Sequence, residues 1–481
     1  MYLGFDLGTS GVKALLIGAD QSIAGSATAP LDVSRPASGW SEQDPAHWIE
    51  ATKKAVAELR SAHPDAFSAV RGIGLSGQMH GATLLDESDN VLRPCILWND
   101  TRSYREAAEL DADPRFREIS GNIVFPGFTA PKLVWVRNNE PEIFDKTAKV
   151  LLPKDYMRLW LTGEHVSEMS DAAGTSWLDV SARKWSDALL EASFMDAGQM
   201  PRLVEGSDAS GMLRSELASE WGLSHPVTVA GGAGDNAATA IGMGILQEGS
   251  AFLSLGTSGV VFAANSAYRP NAESAVHTFC HAVPASWHQM GVILSATDTL
   301  NWFSGVTGKS ASELTSELGG DLRGPAAIFL PYLSGERTPH NDAHIRGALT
   351  GISHGTDRPA ITAAILQGVA FAFRDCIEAL AAAGTRIDRL IASGGGSRSD
   401  YWLKTVATLL DVPIDVPAAG EVGAAFGAAR LGMLAAEGAD PAATCAMPAV
   451  EHTIEPERAL TDAFGEAYQT YRKTYPALRS I

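Results

Sequence analysis

The stretch FDLGTSGVKALL, residues 5–16, decides the fold, because LSLGTSGVVFAA, residues 253–264, nearly repeats it. The string Leu-Gly-Thr-Ser-Gly-Val stands at residues 7–12 and again at residues 255–260. Each copy predicts a strand, a tight turn that its glycines permit, and a second strand. Such a repeat within one chain favours two like domains over two unrelated hairpins.

Both turns carry groups that suit phosphate oxygens. Thr9 and Ser10 supply hydroxyls in the first copy, and Thr257 and Ser258 supply them in the second. The backbone of each turn, including that of Gly256, adds N–H donors. Two such turns predict two domains that grip one polyphosphate between them.

The copies differ at the second residue before the shared Gly-Thr-Ser-Gly turn. Asp6 holds that place in the first copy, and Ser254 holds it in the second. A carboxylate is a preferred ligand of Mg²⁺, and only the first copy carries one at this place. We therefore expect Mg²⁺ at the first turn, facing Asp6.

Composition excludes several classes of function. A chain of 481 residues exceeds the usual size of one core, which predicts two or three domains. Its content of 45% hydrophobic and 19% charged residues is typical of a compact folded protein. The net charge of −19 argues against nucleic acid or an anionic membrane as a partner.

The cysteines and the apolar runs bear on the compartment. Four scattered cysteines, without framework spacing, predict buried free thiols in a reducing compartment: Cys95, Cys280, Cys376 and Cys445. The sequence opens on a strand-like run, and no apolar run approaches membrane-spanning length. We therefore expect no signal peptide, no membrane span and a cytoplasmic location.

Strand-like runs precede helix-like runs in both halves, which is typical of the α/β class. The boundary falls just before the repeated hairpin and predicts domains 1–244 and 245–481, with a shared cleft. A long helix is expected over residues 358–383, where Gly384 ends it. The runs that predict strands include residues 2–7, 12–17, 70–76 and 389–392, the hairpin 251–264, and a pair formed by 82–85 and 91–97.

Asp235 follows a predicted strand at residues 226–230 and a Gly-rich turn at residues 231–234, and it begins a predicted helix. One interpretation of this position is a plain helix N-cap. The other is a general base, whose carboxylate takes the proton from a hydroxyl that attacks a γ-phosphate. Position alone leaves both interpretations open.

Two further motifs partly match known nucleotide-binding sequences. Residues 232–237 fit the G-x-G-x-x-A dinucleotide fingerprint, but the next strand ends without the acidic residue that would hold a ribose. Residues 305–310 resemble the end of a P-loop, but no apolar strand precedes them. We expect instead that Gly308 ends one helix and Ser310 caps the next.

A run of three glycines between a predicted strand and a predicted helix includes Gly395 and Gly396. A tight connection would explain it. With two phosphate turns present, we favour backbone approach to a nucleotide, with N–H groups facing phosphate or ribose.

Two polar loops follow strand ends, where ligands bind in α/β sheets. Their side chains suit a ligand with many hydroxyl groups, and the Trp98 ring could stack on the carbon face of that ligand. Each could alternatively be a loop hydrogen bond, and a lone histidine is more often structural than catalytic. The two sets are Gln78, Met79 and His80, and Trp98, Asn99 and Asp100.

Over essentially its whole length the chain resembles the FGGY family of carbohydrate kinases. The two phosphate turns resemble the family's two phosphate motifs. GFTAPKLVW at residues 127–135 and GALTGI at residues 347–352 resemble its two signatures. Within the family, the motifs most similar to those of D-xylulose kinases lie at residues 40–45, 77–81, 97–100 and 329–339.

The resemblance implies the duplicated ribonuclease-H-like domain of the actin/hexokinase-like ATPases, with ATP and sugar in a central cleft. It implies ATP- and Mg²⁺-dependent phosphorylation of D-xylulose to D-xylulose 5-phosphate in xylose catabolism. The resemblance also implies a role for each matching residue. Asp235 would be the general base, and Asp6 and Asp235 would lie near Mg²⁺. Thr9, Ser10 and Lys13 would lie near the transferring phosphate, Thr257 on the nucleotide phosphates, and Gly395 and Gly396 near the nucleoside. The sugar would contact Met79, His80, Asn99 and Asp235.

Other functions stay open at this point. A sibling kinase would phosphorylate ribulose, gluconate or xylitol, with its preference set by residues 78–80 and 98–100. An actin- or chaperone-like ATPase would hydrolyse ATP without any sugar acceptor. The expected partners are ATP and a small sugar, and a homodimer is possible.

Overall fold

A computed structural model describes residues 1–418 and 423–480 of the chain. Two seven-stranded sheets form its framework, one in each half of the sequence. In spatial order, the first contains Ala209–Met212, Thr228–Ala230, Gly72–Gly77, Tyr2–Gly8, Gly11–Ile17 and Ile23–Pro30, with Ala233–Gly234 also paired to Gly72–Gly77. The second contains His277–Cys280, Trp287–Ile293, Gly259–Asn265, Gly249–Leu255, Ile387–Ser393, Ile414–Pro417 and Val450–Ile454.

The two sheets share one central topology. Tyr2–Gly8 pairs antiparallel with Gly11–Ile17 across the first turn and parallel with Gly72–Gly77 on its other side. Gly249–Leu255 makes the same antiparallel pair with Gly259–Asn265, and Ile387–Ser393 is its parallel neighbour. The repeated sequence therefore marks a repeated fold, and the α/β prediction is confirmed.

Short strand pairs supplement the sheets. Thr83–Leu85 pairs with Lys149–Leu151, and only isolated bridges join residues 82–85 to residues 91–96. The predicted pair of 82–85 with 91–97 is thus wrong in its main partner. The other short pairs are Glu42–Gln43 with Cys95–Ile96, Val166–Glu168 with Arg202–Val204, Leu178–Asp179 with Lys184–Trp185, and Ile328–Leu330 with Ala348–Thr350.

Helices cover the sheets, and several of them begin at a residue whose side chain caps the helix. Asp44 accepts a hydrogen bond from the Ala46 amide at the start of Pro45–Ala62, whose first residue is a proline. The other helices of the first half are Pro64–Ser68, Tyr104–Asp111, Pro114–Ser120, Thr129–Asn139, Pro141–Lys146, Pro153–Thr162, Met169–Ala172, Asp187–Ala192, Ser215–Trp221 and Asp235–Gly242. Those of the second half are Thr297–Thr307, Ala311–Ser316, Arg358–Ala382, Asp400–Leu410, Ala424–Glu437, Pro441–Thr444 and Thr461–Arg479.

The helix Arg358–Ala382 is the central helix of the second core. Within the described residues it is the one helix long and apolar enough to cross a membrane, and 78% of its apolar window is buried inside the protein. The expectation that no apolar run approaches that length is therefore wrong. All four cysteines are buried and free, as expected.

Helix Ala424–Glu437, which we name the crossing helix, belongs to the second half by sequence but packs on the sheet of the first half. It also packs against helix Asp235–Gly242. A Cβ at Gly4 would overlap the Ala425 carbonyl, and a Cβ at Gly427 would overlap the Ala238 carbonyl. The contact is therefore backbone against backbone, and it holds the crossing helix directly against helix Asp235–Gly242.

Candidate active site

The first turn brings a carboxylate and an ammonium group together. Asp6 lies opposite Lys13 in the hairpin and beside Ser76 in the parallel neighbour, whose hydroxyl donates to Asp6 Oδ1 at 2.9 Å. Burial raises the pKa of Asp6, while Ser76 and Lys13 lower it. Burial also lowers the pKa of Lys13, and Asp6 opposes that shift. Both groups thus lie close to the phosphate turn, and burial shifts each pKa towards the neutral form.

Asp235 is the first residue of helix Asp235–Gly242. Gly234 occupies the N-cap position, and no side chain caps the helix. The amide nitrogen and side-chain nitrogen of Asn236 both donate to Asp235 Oδ1, at 2.7 and 3.0 Å. Burial, with a smaller contribution from Asp6, raises the pKa of Asp235 to about 6. A carboxyl group with that pKa can accept and release a proton near neutral pH.

The turn before Asp235, which we name the base loop (residues 231–234), is packed against backbone on several sides. Gly232 has a φ of 79°, and a Cβ there would overlap the Leu75 carbonyl. A Cβ at Gly231 would overlap the carbonyl of Glu205. The Gly234 amide donates to Ser170 Oγ at 3.1 Å. Glycine is needed here because neighbouring chain segments leave no room for side chains.

Gln78 and Trp98 converge on Thr9 of the first turn. The Thr9 hydroxyl donates to Gln78 Oε1 at 2.9 Å and accepts from Trp98 Nε1 at 3.0 Å. Gln78 Nε2 in turn donates to Gln43 Oε1 at 3.0 Å. The Trp98 ring stays 48% exposed. These two side chains therefore link the expected sugar loops to the phosphate turn.

His80 has a φ of 70°, a left-handed conformation that is uncommon outside glycine. The Lys132 ammonium group and the Thr129 hydroxyl both donate to its carbonyl oxygen, at 2.7 and 3.2 Å, which stabilises this conformation. The ring stacks on Phe128 with centroids 4.4 Å apart. Burial lowers the pKa of His80 to about 3, so the ring is neutral.

The tautomer of His80 follows from its partner. Nδ1 lies 2.7 Å from the Gly174 carbonyl oxygen, which can only accept. Nδ1 therefore carries the proton, and Nε2 offers a lone pair to a donor such as a sugar hydroxyl. Met79, the preceding residue, is buried, and its sulfur would lie 2.9 Å from a Cβ at Gly234.

Asn99 and Asp100 differ sharply in their surroundings. The Asn99 side-chain oxygen is buried and has no hydrogen-bond partner within residues 1–418 and 423–480. Both oxygens of Asp100 accept hydrogen bonds, from the Ser41 amide at 2.6 Å and from Arg102 at 2.7–3.0 Å. Asp100 thus holds the loop of residues 98–100 in place, whereas the Asn99 oxygen can accept a hydrogen bond from a ligand.

Arg337 lies beside the aromatic rings that pack against His80. Its guanidinium lies 4.6 Å from the centroid of the Phe125 ring, and Nη1 lies 3.3 Å from His277 Nε2. No carboxylate pairs with it in the part of the chain that the structure describes. The neighbouring Glu336 accepts from backbone amides instead, and burial raises the pKa of its carboxyl to about 8.

Arg337 could not have been located from sequence. It stands in the motif at residues 329–339 in the second half, whereas Phe125 and His80 belong to the first half. Only the docking of the two halves brings the guanidinium close to His80, where it also helps to hold the pKa of that ring low.

The second turn is coupled to a helix start. The carbonyl oxygens of Thr257 and Gly256 accept from the Ala296 amide at 2.7 Å and the Thr297 hydroxyl at 2.8 Å. The side chain of Thr257 stays exposed. The turn is thus fixed through its carbonyl groups, and its hydroxyl remains available.

The glycine run of the second half passes over this turn. Gly394 has a φ of 85°, and a Cβ there would lie 2.6 Å from the Leu255 carbonyl oxygen. Gly396 is similarly close to the Leu255 side chain, whereas Gly395 faces open space. A cavity of about 540 Å³ adjoins Gly395 and Gly396 and is also lined by Trp402. Its volume is in the usual range for small-molecule sites.

The P-loop alternative is excluded by the local structure. Helix Thr297–Thr307 precedes Gly308, which has a φ of 67° and ends that helix. Ser310 and Glu313 then form a capping box at the start of the next helix. The expected helix end and helix cap are confirmed.

Comparison with known proteins identifies the family. The model of the FGGY family of carbohydrate kinases, N-terminal domain, matches residues 1–242, and that of the C-terminal domain matches residues 251–436. The xylulose kinase of Escherichia coli is 48% identical over 439 residues, which cover 91% of this chain and 90% of that protein.

Two solved structures are similar along the full chain. A crystal structure of a "xyloylose kinase" from Brucella ovis has a TM-score of 0.99 and 65% identity and covers 100% of this chain and 99% of its own. The xylulose kinase of Rhodospirillum rubrum has a TM-score of 0.93 and 27% identity, again over 100% and 99%. The fold is that of the actin/hexokinase-like ATPases, and the chain belongs to the FGGY family of carbohydrate kinases.

Proposed function

We propose that this kinase transfers the γ-phosphoryl group of ATP to O5 of D-xylulose and forms ADP and D-xylulose 5-phosphate. The observation that carries the proposal is Asp235, a carboxyl group with a pKa of about 6 that begins a helix beside Asp6 and the first phosphate turn. Similarity to xylulose kinases over most of the chain supports the acceptor. The reaction belongs to xylose catabolism.

Asp235 accepts the proton of the sugar hydroxyl as that oxygen attacks the γ-phosphorus. The new O5–P bond forms while the bond from the γ-phosphorus to the bridging oxygen breaks, and its electron pair leaves with ADP. A positioned base is worth about 10²–10⁴ in rate. Lys13 and the N–H groups of the turn stabilise the charge on the phosphoryl oxygens.

Asp6 and Asp235 fit a Mg²⁺ ion bound together with phosphates. The described residues contain no group of three or more His, Cys, Asp or Glu side chains that could hold a metal ion. Mg²⁺ does not need one, because kinases bind it through one or two carboxylates, substrate phosphates and water. When bound, the ion would neutralise charge on the phosphates.

In this proposal the nucleotide spans both turns. Thr9, Ser10 and Lys13 lie at the transferring phosphate, and Gly256 and Thr257 lie at the remaining phosphates. Gly395 and Gly396 let the nucleoside approach the backbone beside the adjoining cavity.

The sugar contacts His80 Nε2 and the unpartnered Asn99 oxygen, beside Met79, and Trp98 covers its carbon face. Gln78 and Asp100 act by holding Thr9 and the Asn99 loop in place. We also assign Arg337 to the sugar, because its half-buried guanidinium needs oxygen acceptors and residues 1–418 and 423–480 supply no carboxylate partner for it.

The same proposal places the enzyme in the cytoplasm, where its buried thiols stay reduced. The absence of nucleic-acid and membrane partners remains a prediction from the net charge. The homodimer also remains a prediction, which sedimentation of the purified protein tests.

The experiment that tests the function is ADP release from Mg-ATP with a panel of acceptors: D-xylulose, D-ribulose, L-ribulose, gluconate, glycerol, xylitol and none. We expect strong stimulation by D-xylulose. Stimulation by another acceptor alone would keep the phosphoryl transfer and overturn the sugar assignment. ADP release that is indifferent to every acceptor would instead indicate an ATPase.

A further inference from the structure

A network of buried charges lies beneath the base loop, outside the contacts assigned above. Its five charged side chains have no exposed surface: Lys154, Asp155, Arg158, Glu168 and Asp171. Lys154 Nζ lies 2.7 Å from Asp155, 2.9 Å from Asp171 and 3.3 Å from Glu168. Arg158 Nη1 lies 2.5 Å from Asp155 Oδ1.

The network is close to electrical balance. Two cations face three carboxyl groups, and burial raises the pKa of Asp171, which favours its neutral form. Burying charges in this way adds little net stability, because the desolvation cost offsets their attraction. What the network does supply is fixed geometry, since Lys154 contacts all three carboxyl groups and Asp155 contacts both cations.

Two contacts lead from the network to the base loop, one at each end of it. Arg158 Nη2 donates to the Gly231 carbonyl. Ser170 Oγ donates to Glu168 Oε1 at 3.0 Å and accepts from the Gly234 amide at 3.1 Å. Gly234 directly precedes Asp235, so the second contact is one residue away from the proposed base.

We propose that Ser170 is a positioning residue of the phosphoryl transfer. Its hydroxyl transmits the fixed geometry of the buried charges to the Gly234 amide and thereby sets where the Asp235 carboxylate stands. This inference rests on the proposed role of Asp235. Ser170 itself has no exposed surface and touches neither substrate.

Ser167 is a matched control within the same network. Its hydroxyl donates to Asp155 Oδ2 at 2.6 Å, and its residue is buried to the same degree as Ser170. Both serines therefore donate to a buried carboxylate. Of the two, only Ser170 accepts a hydrogen bond from the base loop.

The test compares Ser170→Ala with Ser167→Ala in the full chain. We expect both variants to lose a similar amount of thermal stability, since each deprives a buried carboxylate of one donor. Only Ser170→Ala should lower kcat, by about 10- to 100-fold, because small displacements of catalytic groups are costly. Its KM values should change far less than kcat, because Ser170 touches neither substrate.

Hydrogen exchange gives a second readout that needs no sugar. The peptide that contains the base loop should exchange faster in Ser170→Ala than in Ser167→Ala. If Ser170→Ala does not fold, Ser170→Cys, which keeps the volume and only a weak acceptor, takes its place. Equal losses of kcat in the two variants, or unchanged exchange in the loop, would overturn the proposal. A wild-type enzyme without D-xylulose kinase activity would instead overturn the proposed function and leave the exchange result intact.

Discussion

At the scale of the residue, two neighbouring buried carboxyl groups, Asp6 and Asp235, have different surroundings. Asp6 has an ammonium group across the hairpin and a hydroxyl on its oxygen. Asp235 instead accepts from the amide and the side chain of Asn236, and its neighbour Asp6 raises its pKa further. Burial thus raises the pKa of both carboxyl groups, and at Asp6 the Ser76 hydroxyl and the Lys13 ammonium group oppose that rise.

We expect Asp235→Asn to keep the fold and lower kcat by about 10²–10⁴, because the amide cannot take the hydroxyl proton. Steady-state kinetics with D-xylulose and Mg-ATP, alongside a thermal unfolding curve, measures both effects. Asn236→Ala, which removes a donor to the carboxylate, is the control and should change kcat far less. A variant that retains most of its turnover would remove Asp235 from the role of base.

The two turns differ at Asp6 and Ser254, and that difference predicts an asymmetric response to mutation. Asp6→Ala should raise the Mg²⁺ concentration needed for half-maximal activity and lower kcat, since a carboxylate is lost at the first turn. Ser254→Ala should change both quantities little. Titration of MgCl₂ at fixed ATP distinguishes them. Equal and small effects would contradict the magnesium assignment.

Arg337→Met should raise the KM for the sugar by about 10- to 100-fold, the loss expected for a hydrogen bond from a charged group. The KM for ATP should stay unchanged, and Arg337→Lys should recover part of the sugar affinity. Arg183→Met is the control, because Arg183 also joins the two halves but pairs with Glu205. Parallel losses of stability and ATP affinity in both Met variants would give Arg337 a structural role only.

At the scale of the element, the crossing helix depends on the absence of side chains. Gly427 meets the backbone of helix Asp235–Gly242, and Gly432 meets that of strand Gly72–Gly77. Arg430 of the crossing helix binds the C-terminal end of helix Asp235–Gly242, where it donates to the carbonyl oxygens of Ile241 and Gly242 at 2.9 and 3.1 Å. A shift of this helix would therefore move Asp235.

Gly427→Ala should destabilise the protein by about 1–3 kcal/mol or more, because the new methyl group overlaps the Ala238 carbonyl. It should also lower kcat through the displaced helix. Gly465→Ala, in a helix of the second half where a Cβ meets open space, should stabilise by about 0.5–1 kcal/mol. Urea unfolding of both variants gives the comparison. Equal changes in the two would mean that the crossing contact yields easily.

Local patterns predicted the elements well where the physics is local. The repeated hairpins, the Asp44 cap and the long apolar helix all follow from spacing within a short window. The partner of Thr83–Leu85 did not follow, because Lys149–Leu151 is distant in sequence and carries no signal of its own.

Local sequence patterns could not predict which side chains pair in the site, because many of the partners are also distant in sequence. The sequence indicated that residues 78–80 and 98–100 form polar loops, but not that Gln78 would bind Thr9 or that Asp100 would be enclosed by Arg102. Those pairs arise only once the strands have been placed side by side. Ser170 and Arg337 were missed on this ground too.

At the scale of the whole molecule, buried ionisable groups make stability depend on pH in two opposite directions. Burial lowers the pKa of His281 to about 4, and its ring donates to the Ile245 carbonyl and accepts from the Ala282 amide. Burial raises the pKa of Glu336 to about 8. As pH falls, His281 therefore takes up a proton in the unfolded chain at a higher pH than in the folded chain. As pH rises, Glu336 keeps its proton in the folded chain to a higher pH than in the unfolded chain.

Paired variants separate the two effects. Relative to His281→Gln, the wild type should lose stability as pH falls from about 6.5 towards 4, by up to about 1.4 kcal/mol per pH unit. Relative to Glu336→Gln, it should lose stability as pH rises from about 4.5 towards 8. Urea unfolding between pH 4.5 and 8 measures both differences. Differences that do not vary with pH would contradict the assigned protonation states.

The crossing helix also has a consequence for how such enzymes can be recombined. A gene cut near residue 244 would deliver a first half whose glycine-lined sheet face has lost its cover, since residues 424–437 remain on the other fragment. Chimeras between relatives therefore need two junctions, because residues 1–244 and the crossing helix that covers their sheet must come from the same parent.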